Sequence, residues 1–215
     1  MILKYYGHSF FSLTLENGSV IAFDPYGTFY EYPRRLLRAD VCLISHHHYD
    51  HDGLSCLEPG AQVIDAPGAH GLACGASVLG VPTFHDGQGG AQRGKNTFFI
   101  VEAEGLRVGH AGDLGHLPTR AQMAQIGRLD LLLLPVGGYY TIDAAQAMEV
   151  RGLLRPAVTV PMHYRTRYDP EMNIAPLEDF LSLCGAEDAQ MPLLRAVKAE
   201  MTERPPVVTL AIQPG

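Results

Sequence analysis

Four histidines and two aspartates fall within eight consecutive residues, Ser45-His46-His47-His48-Tyr49-Asp50-His51-Asp52. The core of this run is the pattern H-x-H-x-D-H. Imidazole nitrogens and carboxylate oxygens together suit zinc, iron or manganese. If residues 44–48 are extended, His46 and His48 point to one side and His47 to the other. Asp50 and His51 then follow on a turn and can curl towards the same space. Two ligand pairs so close in sequence do not easily serve one tetrahedral ion, so two adjacent divalent metals are the natural expectation. A solvated His-rich loop is the bland alternative. A buried strand running straight into the cluster argues against it.

That strand is Asp40-Val-Cys-Leu-Ile44. Before it, Ile2–Tyr6, Phe10–Leu15 and Ser19–Phe23 read as a β meander with a hairpin turn at Asn17-Gly18. Short strands are expected at 62–65 and 80–84. A hairpin follows at 96–101 and 106–109, turning on Glu104-Gly105. Residues 119–126 read as a helix and 129–135 as a fully buried strand. Asp143 caps a helix over 143–154, and a core strand spans 157–160. A helix over 175–183 and a strand over 206–212 complete the pattern. Strands come first, then alternating strand and helix, twice over. This order favours an α/β protein with two sheets packed face to face and helices outside.

The length of 215 residues suits one domain, 1–215. Apolar residues make up 47% and charged residues 18%, and the excess of glycine and proline fits many short elements. The net charge of −7 disfavours a general nucleic-acid binder, so no nucleic-acid partner is expected. Cys42, Cys56, Cys74 and Cys184 form no C-x-x-C pair, and free thiols fit a reducing cytoplasm. The N-terminal residues MILKYYGHSF lack the plan of a signal peptide. No apolar run approaches the roughly 20 residues needed to span a bilayer. A cytoplasmic protein away from membranes, monomeric or homo-oligomeric, is the expectation.

H-x-H-x-D-H at a strand end, followed by isolated His, Asp and His positions, resembles the metallo-β-lactamase superfamily. The resemblance covers nearly the whole chain. Tyr6-Gly7-His8-Ser9, Arg93-Gly94-Lys95-Asn96, His110-Ala111-Gly112-Asp113-Leu114-Gly115 and Pro135-Val136-Gly137-Gly138 are similar to the branch with ascorbate-6-phosphate lactonase-like proteins and many metal-dependent hydrolases. It implies a four-layer αββα sandwich. It also implies that Asp24, in Phe23-Asp24-Pro25, supports the ligands from behind. His85, Asp113 and His163 match the remaining ligand positions. On that basis His46, His48 and His85 hold one metal, Asp50, His51 and His163 a second, and Asp113 bridges them. Zinc is expected, with manganese or iron as alternatives. Such a pair can convert a bridging water to hydroxide near neutral pH. Asp50 and Asp113 are the residues expected to carry catalysis.

Other residues remain open on the sequence. His70, His110 and His116 compete with His85, and His110 reads as supporting or structural. Asp52 either accepts a hydrogen bond from a ligand imidazole or caps a turn. His8 either reaches the metal site or lies at the surface. Arg93 and Lys95, in a glycine-rich loop, either bind phosphate or carboxylate or are simply solvated. Tyr139 and Tyr164 are candidate donors to a developing oxyanion. The leading function is a metal-dependent hydrolase acting on a small ester, lactone or phosphate ester. The alternatives are a metallonuclease or phosphodiesterase, with Arg165 and Arg167 on a basic rim, and a non-hydrolytic metal-binding protein.

Overall fold

The computed structural model describes residues 1–27, 31–33 and 36–214. Strands β1 (Ile2–Gly7), β2 (Phe10–Thr14) and β3 (Val20–Phe23) form the antiparallel meander. β4 (Val41–Leu43) and β5 (Gln62–Ile64) then add in parallel beyond β3. The second half repeats this plan. β6 (Gly68–Gly71), β7 (Ser77–Phe84), β8 (Lys95–Ala103) and β9 (Leu106–His110) run antiparallel. After helix α1 (Arg120–Ile126), β10 (Leu131–Pro135) lies parallel to β9. Helix α2 (Ala144–Leu154) carries the chain over to β11 (Val158–Met162), parallel to β10. Helix α3 (Leu177–Cys184) follows, and β12 (Leu194–Arg195) returns to pair with β1. The sheet orders are β12-β1-β2-β3-β4-β5 and β11-β10-β9-β8-β7-β6.

Alternation along the strands decides which face goes where. Leu3, Tyr5, Phe11 and Leu13 join the main core, shared with the second sheet and the helices. Tyr6, Phe10, Ala22 and Cys42 lie on the opposite face, with Tyr26, Tyr32 and Leu57 from the segment that covers it. The second sheet is apolar on both faces. Phe98, Phe99, Ile100 and Val101 are consecutive and all fully buried, as are Leu131 to Leu134. Such runs need cover on both sides, and Ala144, Ala147, Val150 and Leu154 of α2 belong to the same core. The result is the expected αββα sandwich of two mixed sheets with flanking helices.

Three strand expectations change. Residues 206–212 do not form a strand. Val207, Leu210 and Ile212 make single bridges to Thr159, Met191 and Tyr5, so the segment crosses three partners and follows none. Pro205 and Pro206 also withhold two ladder donors at its start. β6 and β12 were not anticipated. Gly68-Ala-His-Gly71 has neither β-branched nor aromatic residues, and two residues are too few to show alternation. Both are edge strands, recruited by the strand beside them. None of the described helices is long and apolar enough to cross a membrane.

Asp143 caps α2 through a capping box with Gln146. Asp143→Ala is expected to cost about 1 kcal/mol. In a chain of this length that is a fall in Tm of about 2–4 °C by calorimetry. Metal content should not change.

Candidate metal centre

The chemistry-bearing side chains sit where strands end. His8 follows β1, Asp24 follows β3, and the histidine run follows β4. His85 follows β7, Asp113 lies just beyond β9, and His163 follows β11. Buried strands fix each backbone, and the loops they release converge on one spot.

The run after β4 behaves as alternation predicts. The His46 and His48 rings lie 4.6 Å apart. His47 turns away, placing Nδ1 3.4 Å from Asp52 and Nε2 3.3 Å from Asp65. Asp52 therefore meets His47 rather than a ligand imidazole. A turn closed by His51 N–H to His48 O, 2.9 Å, brings Asp50 and His51 back inward.

Three groups of donor atoms result among the described residues, each compact enough to hold an ion. One is His46, His48 and His85. Another is Asp50, His51 and His163, joined by His8. The third, Asp24, His46 and His51, shares its histidines with the other two and has Asp24 committed to Ser45 and His51 behind them. Asp113 stands between the first two. Its Oδ2 lies 3.1 Å from His85 Nε2 and 3.2 Å from His163 Nε2, and its Oδ1 lies 3.2 Å from His51 Nε2.

These residues fit metal ions on two further grounds. The first is hydrogen bonding. Among the described residues, Nε2 of His46, His51 and His163 and Oδ1 of Asp113 are buried without a hydrogen-bond partner. Leaving so many polar atoms orphaned is costly. They converge around the Asp113 carboxylate, where an ion could engage them together. The second is the other ring nitrogen of three of the imidazoles, His46, His51 and His85. His51 Nδ1 pairs with Asp24 Oδ2 at 2.9 Å, His85 Nδ1 with the Tyr140 carbonyl at 3.1 Å, and His46 Nδ1 with Ser45 Oγ at 2.9 Å. Ser45 Oγ donates to Asp24 in turn, so His46 Nδ1 is the donor to Ser45. Fixing Nδ1–H in this way leaves Nε2 as the ligand atom.

The electrostatics agree. Burial alone would raise the Asp24 carboxyl, but His110, His51 and His46 hold it below its ordinary range. Burial would likewise raise Asp113, and His163 and His51 hold it well below. For Asp50, the hydrogen bond from His8 and the charge of His51 overcome burial and lower it. Burial pulls His51 down, yet Asp113 and Asp24 on either side leave it raised. Positive charge between its carboxylates stabilises the cluster, and a cation bound there would supply it.

His8 is fully buried, with Nε2 3.3 Å from Asp50 Oδ2 and its ring 4.2 Å from that of His163. Burial and the neighbouring His163 lower it to about 4, against the pull of Asp50. Its carbonyl accepts His163 N–H at 2.9 Å. His8, Asp24 and His163 all adopt left-handed backbone, at φ 53°, 42° and 52°. Non-glycine residues pay for that conformation, and it gathers at functional sites. Gly112 has the same need, at φ 55°. A Cβ there would lie 2.4 Å from Asn96 Oδ1, the atom that accepts Asp113 N–H.

His110 donates Nε2–H to Ser9 O and accepts Gly112 N–H at Nδ1, and it stacks on Phe23. Both nitrogens are used, so it supports the site from below. His116 is likewise spent on Phe84 N–H and Leu117 O, and His70, half-buried on an edge strand, pairs with the Ala66 carbonyl at 3.3 Å. Beside the ligands lies a cup of about 260 Å³, lined by His48, Tyr49, Asp50, His85, Arg93, Asp113, Tyr140, His163 and Met172. Two expectations need correction here. Tyr139 is exposed and outside the lining, and its neighbour Tyr140 takes that place. Tyr164 is buried against Tyr5 and borders a different cavity, so it cannot reach an oxyanion in the cup. Lys95 is exposed at the start of β8. Asn96, Ser45 and Tyr140 were missed, since each acts through a hydrogen bond to a residue distant in sequence or to a backbone group.

Asp24→Asn removes the charge behind His51 and His46. It is expected to weaken metal affinity about 10- to 100-fold by competitive chelator titration. His47→Ala should change it by no more than about twofold, because that ring faces outward.

The chain was compared with known proteins. Residues 2–163 match the family model described as the β-lactamase superfamily domain. A UPF0173 metal-dependent hydrolase from Opitutus terrae is 31% identical, with 82% of this chain and 89% of that protein covered. A crystal structure from Thermotoga maritima, assigned as a Zn-dependent hydrolase of the metallo-β-lactamase superfamily, is 37% identical. It superposes with a TM-score of 0.78 over 97% of both chains. The metallo hydrolase Igni18 from Ignicoccus hospitalis is 28% identical, with a TM-score of 0.66 over 91% of this chain and 99% of that one. The chain belongs to the metallo-β-lactamase superfamily.

Proposed function

We propose that this metal-dependent hydrolase works with a dinuclear centre on a small ester, lactone or phosphate ester. One observation carries the reading. Two groups of donor atoms flank a single carboxylate, Asp113, whose two oxygens face imidazoles of both groups at 3.1–3.2 Å. His46, His48 and His85 would hold one ion and Asp50, His51 and His163 the other. Zinc fits this donor set, as do manganese and iron. When bound, such a pair polarises a carbonyl or phosphoryl oxygen and makes a shared water acidic enough to react near neutral pH.

The protein's own groups do the rest. The described residues lining the cup include no Ser, Thr, Cys or Lys, which favours solvent as the source of the attacking oxygen. Asp50 is kept ionised and lines the cup, where its carboxylate can accept a hydrogen bond from that water and orient it. Asp24 and Ser45 hold His51 and His46 in the tautomers that face inward. The cup itself selects by size. At about 260 Å³ it falls just below the usual range for small-molecule sites. Arg165 and Arg167 border a separate cavity of about 490 Å³ and so do not form a basic rim on the cup. That favours a metabolite over a nucleic acid.

A panel of aryl esters, lactones and phosphate monoesters, run with zinc-, manganese- or iron-loaded protein, tests this. At least one class should be turned over. Asp50→Ala and Asp50→Asn should each lower kcat/KM about 100-fold or more while Tm stays close to wild type. Chelation should abolish turnover and metal should restore it. Turnover that survives either Asp50 change, or exhaustive chelation, would exclude the mechanism.

A further inference from the structure

We infer that the cup takes an anionic substrate, and that Arg93 holds the carboxylate or phosphate group of that substrate. The inference rests on the hydrolase reading of the same site and narrows its substrate class.

The argument begins with how Arg93 is mounted. The loop after His85 wraps around the buried Asp86. That carboxylate accepts four backbone N–H groups, from Gln88 (2.8 Å), Gly90 (2.9 Å), Gln92 (2.9 Å) and Arg93 (2.8 Å). The loop is therefore locked, and the Arg93 backbone is fixed close to a candidate ligand. The same bonds explain why the guanidinium stays available. Asp86 is the acid nearest to it in sequence, and its charge is already satisfied by backbone dipoles.

The side chain is half-buried and lines the cup together with His48, His85, Asp113 and His163. Its Cζ lies 5.7 Å above the centre of the Tyr140 ring, which gives the guanidinium a platform. Among the described residues no carboxylate pairs with it, whereas Arg107 and Arg204 pair with Glu102 and Glu200. Tyr140 is fixed as well, since its carbonyl accepts from His85 Nδ1. The loop after His85 and the distant Tyr140 thus tie the cation, its platform and a candidate ligand together.

Charge makes the case specific. Two dications, once bound, would outweigh Asp24, Asp50 and Asp113 by one positive charge. A cation added to the wall of that small cup repels the metals, unless an anion lies between them. The chain as a whole carries −7, so Arg93 in the wall of this cup stands against the general balance. The planar fork of a guanidinium matches the paired oxygens of a carboxylate or phosphate. A substrate with such a group would be anchored at Arg93 and would present its scissile bond to the metals. Arg93 is accordingly a binding and specificity residue.

Zinc-loaded wild type, R93K and R93Q can be titrated calorimetrically with phenylphosphonate, benzoate and neutral benzamide, with zinc content measured on each sample. The backbone bonds to Asp86 do not involve the Arg93 side chain, so all three proteins should fold alike, as Tm will show. Wild type should prefer at least one anion over benzamide. R93Q should bind that anion about 10- to 100-fold more weakly at unchanged zinc content. R93K should fall between, and benzamide should not distinguish the three. The stronger of the phosphonate and benzoate arms identifies the head group. Equal anion affinity in wild type and R93Q would overturn the inference, as would a wild type that prefers neither anion. Protein that takes up no zinc would instead sink the dinuclear reading. Its anion titrations, compared across the three proteins, would still decide Arg93.

Discussion

The structure depends on Asp113 being held, buried, at the point where imidazoles from three loops meet. A carboxylate excluded from water is expensive unless positive charge or hydrogen bonds compensate it. Here one oxygen has no hydrogen-bond partner among the described residues, and three imidazole nitrogens stand about 3 Å from the pair. Neutral imidazoles, which bring hydrogen bonds but no positive charge, are a weak solution. Metal ions are a better one, because they satisfy the unpartnered Nε2 atoms and the carboxylate together. The features around the site read as consequences of that demand. They include the left-handed backbone at His8, Asp24 and His163, the absent side chain at Gly112, and the buried Asn96 amide that holds Asp113 N–H.

The fold meets this demand with two copies of one plan. Each half lays down an antiparallel meander and then adds parallel strands, and the parallel strands all release their loops at the ligand end. Strands buried on both faces, such as β10, fix those ends firmly, because Leu131 to Leu134 are all packed and a slip would disrupt close packing on both sides. Below the ligands, Asp24 links Ser45, His46 and His51 into one network, and His110 ties the floor to the β1–β2 turn through Ser9.

Much of this was legible in the sequence. The H-x-H-x-D-H run and the outward turn of His47 follow from strand alternation alone. The Glu104-Gly105 hairpin and the Asp143 cap follow from turn and capping chemistry. His85, Asp113 and His163 are different. Nothing local marks them, and family resemblance pointed to them before the fold brought them together. Tyr139 and Tyr164 show the limit from the other side. Both lie next to residues that matter, yet a single loop residue at φ 59° sends Tyr139 outward and gives the cup to Tyr140. The strand expected at 206–212 failed for a similar reason. Its apolar residues are buried, but by three different neighbours.

The central claim is that Asp113 joins two metal ions held by two separate ligand groups. Anomalous diffraction from crystals grown with zinc, recorded on both sides of the zinc absorption edge, tests it most directly. The account predicts two peaks per chain, about 3.5–4 Å apart. One should be ligated by His46, His48 and His85, the other by Asp50, His51 and His163, with Asp113 reaching both. A single peak at full occupancy, or peaks that leave Asp113 without a metal contact, would contradict it.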